Sequence, residues 1–222
     1  MQKHFDEELA GVKTEVLRMS SMVEAGILKS IEALKNLDDK EAQKLISEDR
    51  LIDELELKIE EKCLDLLAVH QPMAADLRFI CMAMKITNEL ERIADLAVDI
   101  AQRVLELVGQ PLLKPLVDIP KLAAVSQKMT KDVITAFINK DPDLAAEVIL
   151  MDSQADNLRN LVQAELINDY MAKDSSTATR AVPLLLVARH LERICDHATN
   201  IAEDVIYMCS AKVVKHHPEK LK

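Results

Sequence analysis

Apolar residues recur along this chain at intervals of three and four, the spacing that places side chains on one face of an α-helix. The pattern predicts six helices. Their expected bounds are about Phe5 to Asn36, Asp39 to Val69, Met73 to Val108, Pro120 to Asn139, Pro142 to Ala172 and Ala178 to Ala211. Asp38 and Asp141 stand where N-caps are needed, and Pro183 is expected either to kink the last helix or to mark its first turn.

Prolines interrupt the helical pattern near the middle of the chain. Pro111, Pro115 and Pro120 follow Gly109, a residue that suits the C-terminus of a helix. We therefore place a domain boundary here. The predicted organisation is a first three-helix bundle at 1–108, a proline-rich linker at 109–120, a second bundle at 121–211 and a flexible tail at 212–222.

An internal repeat relates the two halves. Leu90–Ala101 and Leu191–Ala202 share eight of twelve residues at an offset of 101. Two aspartate pairs repeat at an offset of 103: Asp49/Asp53 and Asp152/Asp156. A period near 100 residues is too long for a solenoid, so the repeat predicts an all-α fold of two tandem, pseudo-symmetric three-helix bundles.

Composition agrees with this prediction and narrows the function. Only 3 Gly, 2% aromatic residues and no Trp leave a core of aliphatic side chains and Met, as in helical proteins. The net charge of −10 argues against nucleic-acid binding and against docking on an anionic membrane. Four cysteines without a C-x-x-C pair, no apolar signal segment and no apolar run of about 18 residues predict a cytoplasmic protein that does not insert into membranes.

Acidic residues recur on corresponding helices of both halves. On a helical wheel Glu91, Asp95 and Asp99 centre opposite the apolar stripe, while Asp49 and Asp53 lie about 80–100° from theirs. If the two helices are antiparallel neighbours, these carboxylates could hold a cation such as Mg²⁺, Ca²⁺, Mn²⁺ or iron. The second half offers a corresponding set: Asp152, Asp156, Glu192, Asp196 and Asn200. Because Asn200 carries no charge where Asp99 does, we predict the weaker site there.

Other interpretations of these residues stay open. The acidic rows could be solvated surface, with Arg92 and Arg193 forming ion pairs between helices. His190 and His197 are interpreted as packing or hydrogen-bonding residues. A ferritin-type di-iron centre requires Glu-x-x-His on inward faces, and the sequence contains none. No catalytic constellation is found, so the protein is not expected to be an enzyme.

The two Leu-Glu-Arg-Ile-x-Asp copies, each followed by Ile-Ala, and the two Asp-x-x-x-Asp pairs resemble the PhoU family over nearly the whole chain. The resemblance implies a cytoplasmic regulator of phosphate uptake that restrains the phosphate-starvation response. Its implied partners are the ATPase subunit of the phosphate ABC transporter, a sensor histidine kinase and a second copy in a homodimer. It also implies that the matching carboxylates can hold iron, zinc, nickel or magnesium. Asn200, at the position of Asp99, departs from the motif.

Two rival functions remain at this stage. In the first, the protein is a metal buffer or sensor in which metal binding is itself the function. In the second, it is a structural helical scaffold whose acidic faces are simply solvated.

Overall fold

The computed structural model describes residues 2–211, which form helices and turns without a β-strand. The α-helices are α1 Gln2–Asn36, α2 Asp39–Glu48, α3 Arg50–His70, α4 Ala74–Leu107, α5 Asp118–Asn139, α6 Pro142–Glu165 and α7 Ala178–Ser210. The predicted flexible tail, 212–222, lies outside the described residues. The prediction of an all-α fold is confirmed.

The second predicted helix is divided in two at Asp49, which separates α2 from α3. The backbone of Asp49 stays helical, with φ −52° and ψ −43°. Its carbonyl accepts a hydrogen bond from the Ile52 amide at 2.8 Å, three residues on, so the chain tightens locally and then continues as helix. Residues 2–211 therefore form seven α-helices where six were predicted, and α2 and α3 together correspond to the second predicted helix.

Two further helix ends differ from the prediction. α5 begins at Asp118, so Pro120 lies in its first turn, where the missing amide costs no helical hydrogen bond. The predicted fifth helix is α6 followed by a π-helical segment, Leu166–Met171, in which the Ala172 amide reaches the Ile167 carbonyl at 2.9 Å. Pro183 lies inside α7, five residues after its start.

The predicted caps are confirmed. The Asp38 carboxylate accepts from the amides of Lys40 and Glu41 at 3.0 and 3.1 Å. The Asp141 carboxylate accepts from the amides of Asp143 and Leu144, the second and third residues of α6, at 3.1 and 3.0 Å. Each bond satisfies an amide that the first helical turn would otherwise leave without a partner. The internal repeat therefore includes the capping hydrogen bonds at the start of α2 and α6.

The helices pack as two bundles joined along α4 and α7. α1 to α4 pack together, as do α5 to α7, and α4 and α7 form the most extensive contact in the molecule. These two helices are antiparallel, since Lys85 pairs with Asp204 near one end of the contact and Asp99 approaches His190 near the other. One continuous hydrophobic core runs through both bundles.

Candidate functional site: two acidic clusters

Four of the predicted ligands of the first half come together where the α2–α3 junction meets α4. Burial raises the pKa of Asp49 to about 6, and the charges of Asp53 and Asp95 add to the rise. Burial also raises the pKa of Glu91, with Asp95 next in effect and Asp53 contributing. Carboxylates influence one another in this way only at short range. We call Asp49, Asp53, Glu91 and Asp95 the N-terminal acidic cluster.

The second half repeats this arrangement between α6 and α7. Burial raises the pKa of Asp152 to about 6, helped by the charges of Asp196, Asp156 and Glu192. The same causes, burial before neighbouring carboxylates, raise the pKa of Glu192 against the opposing effect of two arginines. Asp152, Asp156, Glu192 and Asp196 form the C-terminal acidic cluster. The repeat therefore places two like groups of four carboxylates at corresponding positions.

The helical wheel places these acids opposite the main apolar stripe, yet the two glutamates are largely covered. The side chain of Glu192 is 6% exposed and that of Glu91 is 17% exposed, whereas Asp95 keeps 43%. The helical wheel measured direction relative to the main apolar stripe only. α7 packs against α4, α5 and α6, so its side opposite that stripe is covered as well.

Glu192 is held by two arginines. Arg189 donates from Nη1 to both carboxylate oxygens at 2.6 and 2.8 Å, and Arg159 donates from Nη2 at 3.2 Å. At the same repeat offsets, the first half has Glu56 in place of Arg159 and Asn88 in place of Arg189. There the Asn88 amide donates to Glu56 at 3.1 Å. Compared with the C-terminal acidic cluster, the N-terminal one therefore has an additional neighbouring carboxylate, Glu56, and has no counterpart of Arg159 or Arg189.

Asp99 and Asn200, the other two predicted ligands, make their contacts elsewhere. The Asp99 carboxylate lies 3.6 Å from Nδ1 of His190 across the α4–α7 contact. Asn200 donates to Glu89 at 3.3 Å, and Nδ1 of His197 lies 2.7 Å from the same oxygen. Both residues therefore join the two halves rather than the acidic clusters. The weaker second site stays a prediction, and Arg159 and Arg189, rather than Asn200, are the structural difference that favours it.

Sequence reasoning did not identify these arginines as part of the site. Arg159 was visible as a break in the repeat opposite Glu56, and Arg189 as a similar break opposite Asn88. Which carboxylate they would reach depends on the packing of α6 against α7, and periodicity along one helix carries no information about that.

The donor chemistry of the N-terminal acidic cluster fits a hard cation. All its ligands would be carboxylate oxygens, and Oε2 of Glu91 is buried without a hydrogen bond, its nearest cation being Arg92 at 3.4 Å. Within residues 2–211, no three His, Cys, Asp or Glu side chains converge closely enough to enclose an ion. Binding would therefore require the carboxylates to turn toward a common point.

Comparison with known proteins identifies the repeat. The family model for the PhoU domain matches twice, at residues 16–104 and 119–205. The phosphate-specific transport system accessory protein PhoU homolog of Aquifex aeolicus is 39% identical over 216 residues, 97% of each chain. The protein of the same name from Clostridium acetobutylicum is 36% identical over 96% of this chain and 97% of its own.

Solved structures agree with these relatives. The crystal structure of PhoU from Pseudomonas aeruginosa aligns with a TM-score of 0.88 at 34% identity, covering 94% of this chain and 100% of that one. The phosphate transport system regulatory protein PhoU from Streptococcus pneumoniae aligns with a TM-score of 0.87 at 28% identity, covering 95% and 99%. The likeness thus extends over both bundles.

Proposed function

Because this chain belongs to the PhoU family, whose model matches both of its halves, we propose that it is a regulatory accessory protein of phosphate transport. The observation that carries the proposal is the 39% identity, over 97% of each chain, with a protein named for that role. Because the match covers nearly the full length of both chains, it favours a shared role of the whole molecule and not merely one domain in common.

The proposed mode of action is that of a cytoplasmic, non-enzymatic adaptor. When phosphate is plentiful, the protein binds the ATPase subunit of the phosphate ABC transporter and a sensor histidine kinase, and restrains the phosphate-starvation response. It acts as a homodimer. Regulation of this kind requires that the affinity for at least one partner differ between transport states, because a ligand with equal affinity for both states shifts nothing. None of the described helices is both long and apolar enough to cross a membrane.

Metal binding forms the second part of the proposal. The carboxylates of the N-terminal acidic cluster hold a metal ion, and those of the C-terminal acidic cluster hold one more weakly. Iron, zinc, nickel and magnesium are the candidates, and an all-oxygen donor set favours magnesium or iron over zinc. A bound cation would offset the burial, and the repulsion from Asp53 and Asp95, that together raise the pKa of Asp49, and would tie the α2–α3 junction to α4.

A binding experiment tests the adaptor role. The purified protein is immobilised and offered the transporter ATPase subunit and the cytoplasmic part of the kinase, at high and at low phosphate. We expect retention of at least one of them, with an amount that changes with phosphate. Failure to retain either partner under both conditions would reject the adaptor role.

The rival function as a metal buffer or sensor is favoured by the two like groups of four carboxylates and by Oε2 of Glu91, which is buried without a hydrogen bond. Metal content is measured on protein purified without a histidine tag, beside the double variant Asp95→Asn, Asp196→Asn. Equal metal content would reject the proposed sites. If the variant loses metal but still retains both partners normally, metal binding is a separate function, and this result would support the role as a metal buffer or sensor.

A further inference from the structure

A cleft of about 140 Å³ opens among α1, α2, α3 and α4, beside the N-terminal acidic cluster. Its walls are aliphatic and include Met22, Leu45 and Ile52. Gly26 and Ala97 face each other across its floor. Asp49 is the one member of the N-terminal acidic cluster that lines it.

The cleft exists because position 26 lacks a side chain. α1 and α5 end at corresponding residues, Asn36 and Asn139, so the repeat places Met129 at the position of Gly26. Met129 is fully buried in the second bundle. The first half therefore leaves open a space that the second half fills with a methionine side chain.

Helix packing does not require glycine at this position. A Cβ added to Gly26 would lie 3.8 Å from the Cβ of Ala97, an ordinary van der Waals distance. The residue is helical and has no left-handed backbone angle that would demand glycine. Glycine is unfavourable inside a helix relative to alanine, so its presence calls for another reason. An open cleft that receives something from outside supplies one.

The rim of the cleft selects for positive charge. Glu48 and Asp49 stand at the rim together with Lys29. The ammonium group of Lys29 is already engaged, at 3.6 Å from Glu48 and 4.0 Å from Glu41. The remaining acids of the N-terminal cluster lie close by, and the four carboxylates outweigh the charge of one divalent cation, so the surface around the opening is negative with or without a bound divalent metal. A partner that covers it should be basic, because complementary charge speeds association and disfavours other partners.

We propose that the cleft at Gly26 receives one long aliphatic side chain, methionine or leucine, from a basic helix of a protein partner. The seated side chain takes the place that Met129 occupies in the second half, and basic residues one turn away along the partner helix face Glu48 and Asp49. Anchoring of a helix by an aliphatic side chain in a pocket is a common mode of recognition. The inference deepens the adaptor role and in part rests on it, since it names the surface that would hold a partner.

Methionine-methyl NMR tests this directly, because Met22 lines the cleft and Met129 is an internal control in the other bundle. The probes are lysine-rich helical peptides of one host sequence with Met, Leu, Ser or Asp at a single central position. We expect the Met and Leu peptides to shift the Met22 signal saturably below about 1 mM, an affinity that one anchor can supply. The Ser and Asp peptides should bind at least about tenfold more weakly, and the Met129 signal should not move.

Two variants complete the test. Gly26→Met fills the cleft and should abolish the response, whereas the matched control Gly26→Ala should retain it, since one methyl group leaves the cleft open. Circular dichroism confirms that both fold, and the peptide series judges the proposal without any variant. No shift of Met22 below about 1 mM, or an equal shift in Gly26→Met, overturns it. So does a Met22 shift that depends on protein concentration without peptide, since the occupant would then be a second copy.

These outcomes are separate from those of the adaptor proposal. A peptide response with no retention of ATPase or kinase would support the cleft and reject the proposed partners. Normal retention by Gly26→Met would support the partners and place their contact elsewhere.

Discussion

At the scale of single residues, the two acidic clusters have the same number of carboxylates but differ in the arginine side chains that contact them. Glu192 is neutralised by Arg159 and Arg189, while Glu91 has only Arg92 nearby. An external cation therefore has more unbalanced charge to neutralise in the N-terminal cluster. This difference, rather than the change from Asp99 to Asn200, makes the two copies unequal.

The first prediction concerns the two arginines of the C-terminal acidic cluster, which are replaced by the corresponding residues of the first half. The double variant Arg159→Glu, Arg189→Asn gives the C-terminal acidic cluster the composition of the N-terminal one. We expect it to bind Mg²⁺ about tenfold more tightly at that cluster, as measured by isothermal titration calorimetry. The control Arg180→Asn removes a positive charge from α7 twelve residues before Glu192, away from the cluster, and should change the titration little. Identical titrations for wild type and double variant would show that the arginines do not set cation affinity.

The second prediction concerns pH. The pKa values of Asp49 and Asp152 rise to about 6 in the folded protein from 3.8, so between pH 4 and 6 the folded state binds more protons than the unfolded state. Stability from this source is present at low pH and is lost as pH rises through 6. Asp49→Asn should therefore raise the free energy of unfolding at pH 7 by on the order of 1 kcal/mol and have little effect at pH 4.

Urea unfolding without added metal, followed by circular dichroism, measures this difference. Asp39→Asn serves as the control, because it removes the charge of an exposed aspartate at the opposite end of α2, ten residues before Asp49. An Asp49→Asn variant that is less stable than wild type at pH 7 would contradict the raised pKa. Adding Mg²⁺ should stabilise the wild type more at pH 7 than at pH 5, because a protonated carboxylate is a poor ligand.

At the scale of helices, much of the structure follows from the sequence. Periodicity placed most helix ends within a few residues, and Asp38 and Asp141 were recognisable as caps. Gly109, with φ of 85°, adopts the left-handed conformation expected of a glycine that follows a helix. The break at Asp49 and the π-helical segment were not predicted. Asp49 keeps helical backbone angles, and the π-helical segment spans only six residues at the end of α6, too few to reveal a change of spacing.

The third prediction belongs to these caps. Asp38→Ala and Asp141→Ala each remove an acceptor shared by two backbone amides. Each should lower the free energy of unfolding by about 1 kcal/mol. Urea unfolding measures it, with Lys40→Ala, which alters an exposed side chain in the same turn, as the control. A loss no greater than that of the control would mean that these hydrogen bonds do not stabilise the helices.

At the scale of the whole molecule, the two halves share one core. Phe79 of α4 and Phe137 of α5 stack with ring centroids 4.8 Å apart, fully buried between the bundles. The sequence predicted two bundles but not how they would join. That depends on which second face of α4 and α7 is covered, and the periodicity of a single helix does not determine this. The boundaries 1–108, 109–120 and 121–211 stay a prediction.

The fourth prediction follows from the shared core. We expect both bundles to unfold in one cooperative transition, because separating them would expose apolar surface of both. The methyl signals of Met19 in α1 and Met129 in α5, both fully buried, report on each half. Their midpoints in urea should coincide. Two midpoints that differ reproducibly would show that the bundles unfold independently.

If the proposed role is correct, this protein restrains the phosphate-starvation response in the cell. A phosphate-starvation reporter is followed at high phosphate in the native host, with and without the gene and with the gene restored. We expect high reporter activity only where the gene is missing, and a return to the repressed level when the gene is restored. Equal, low reporter activity in all three strains would contradict it.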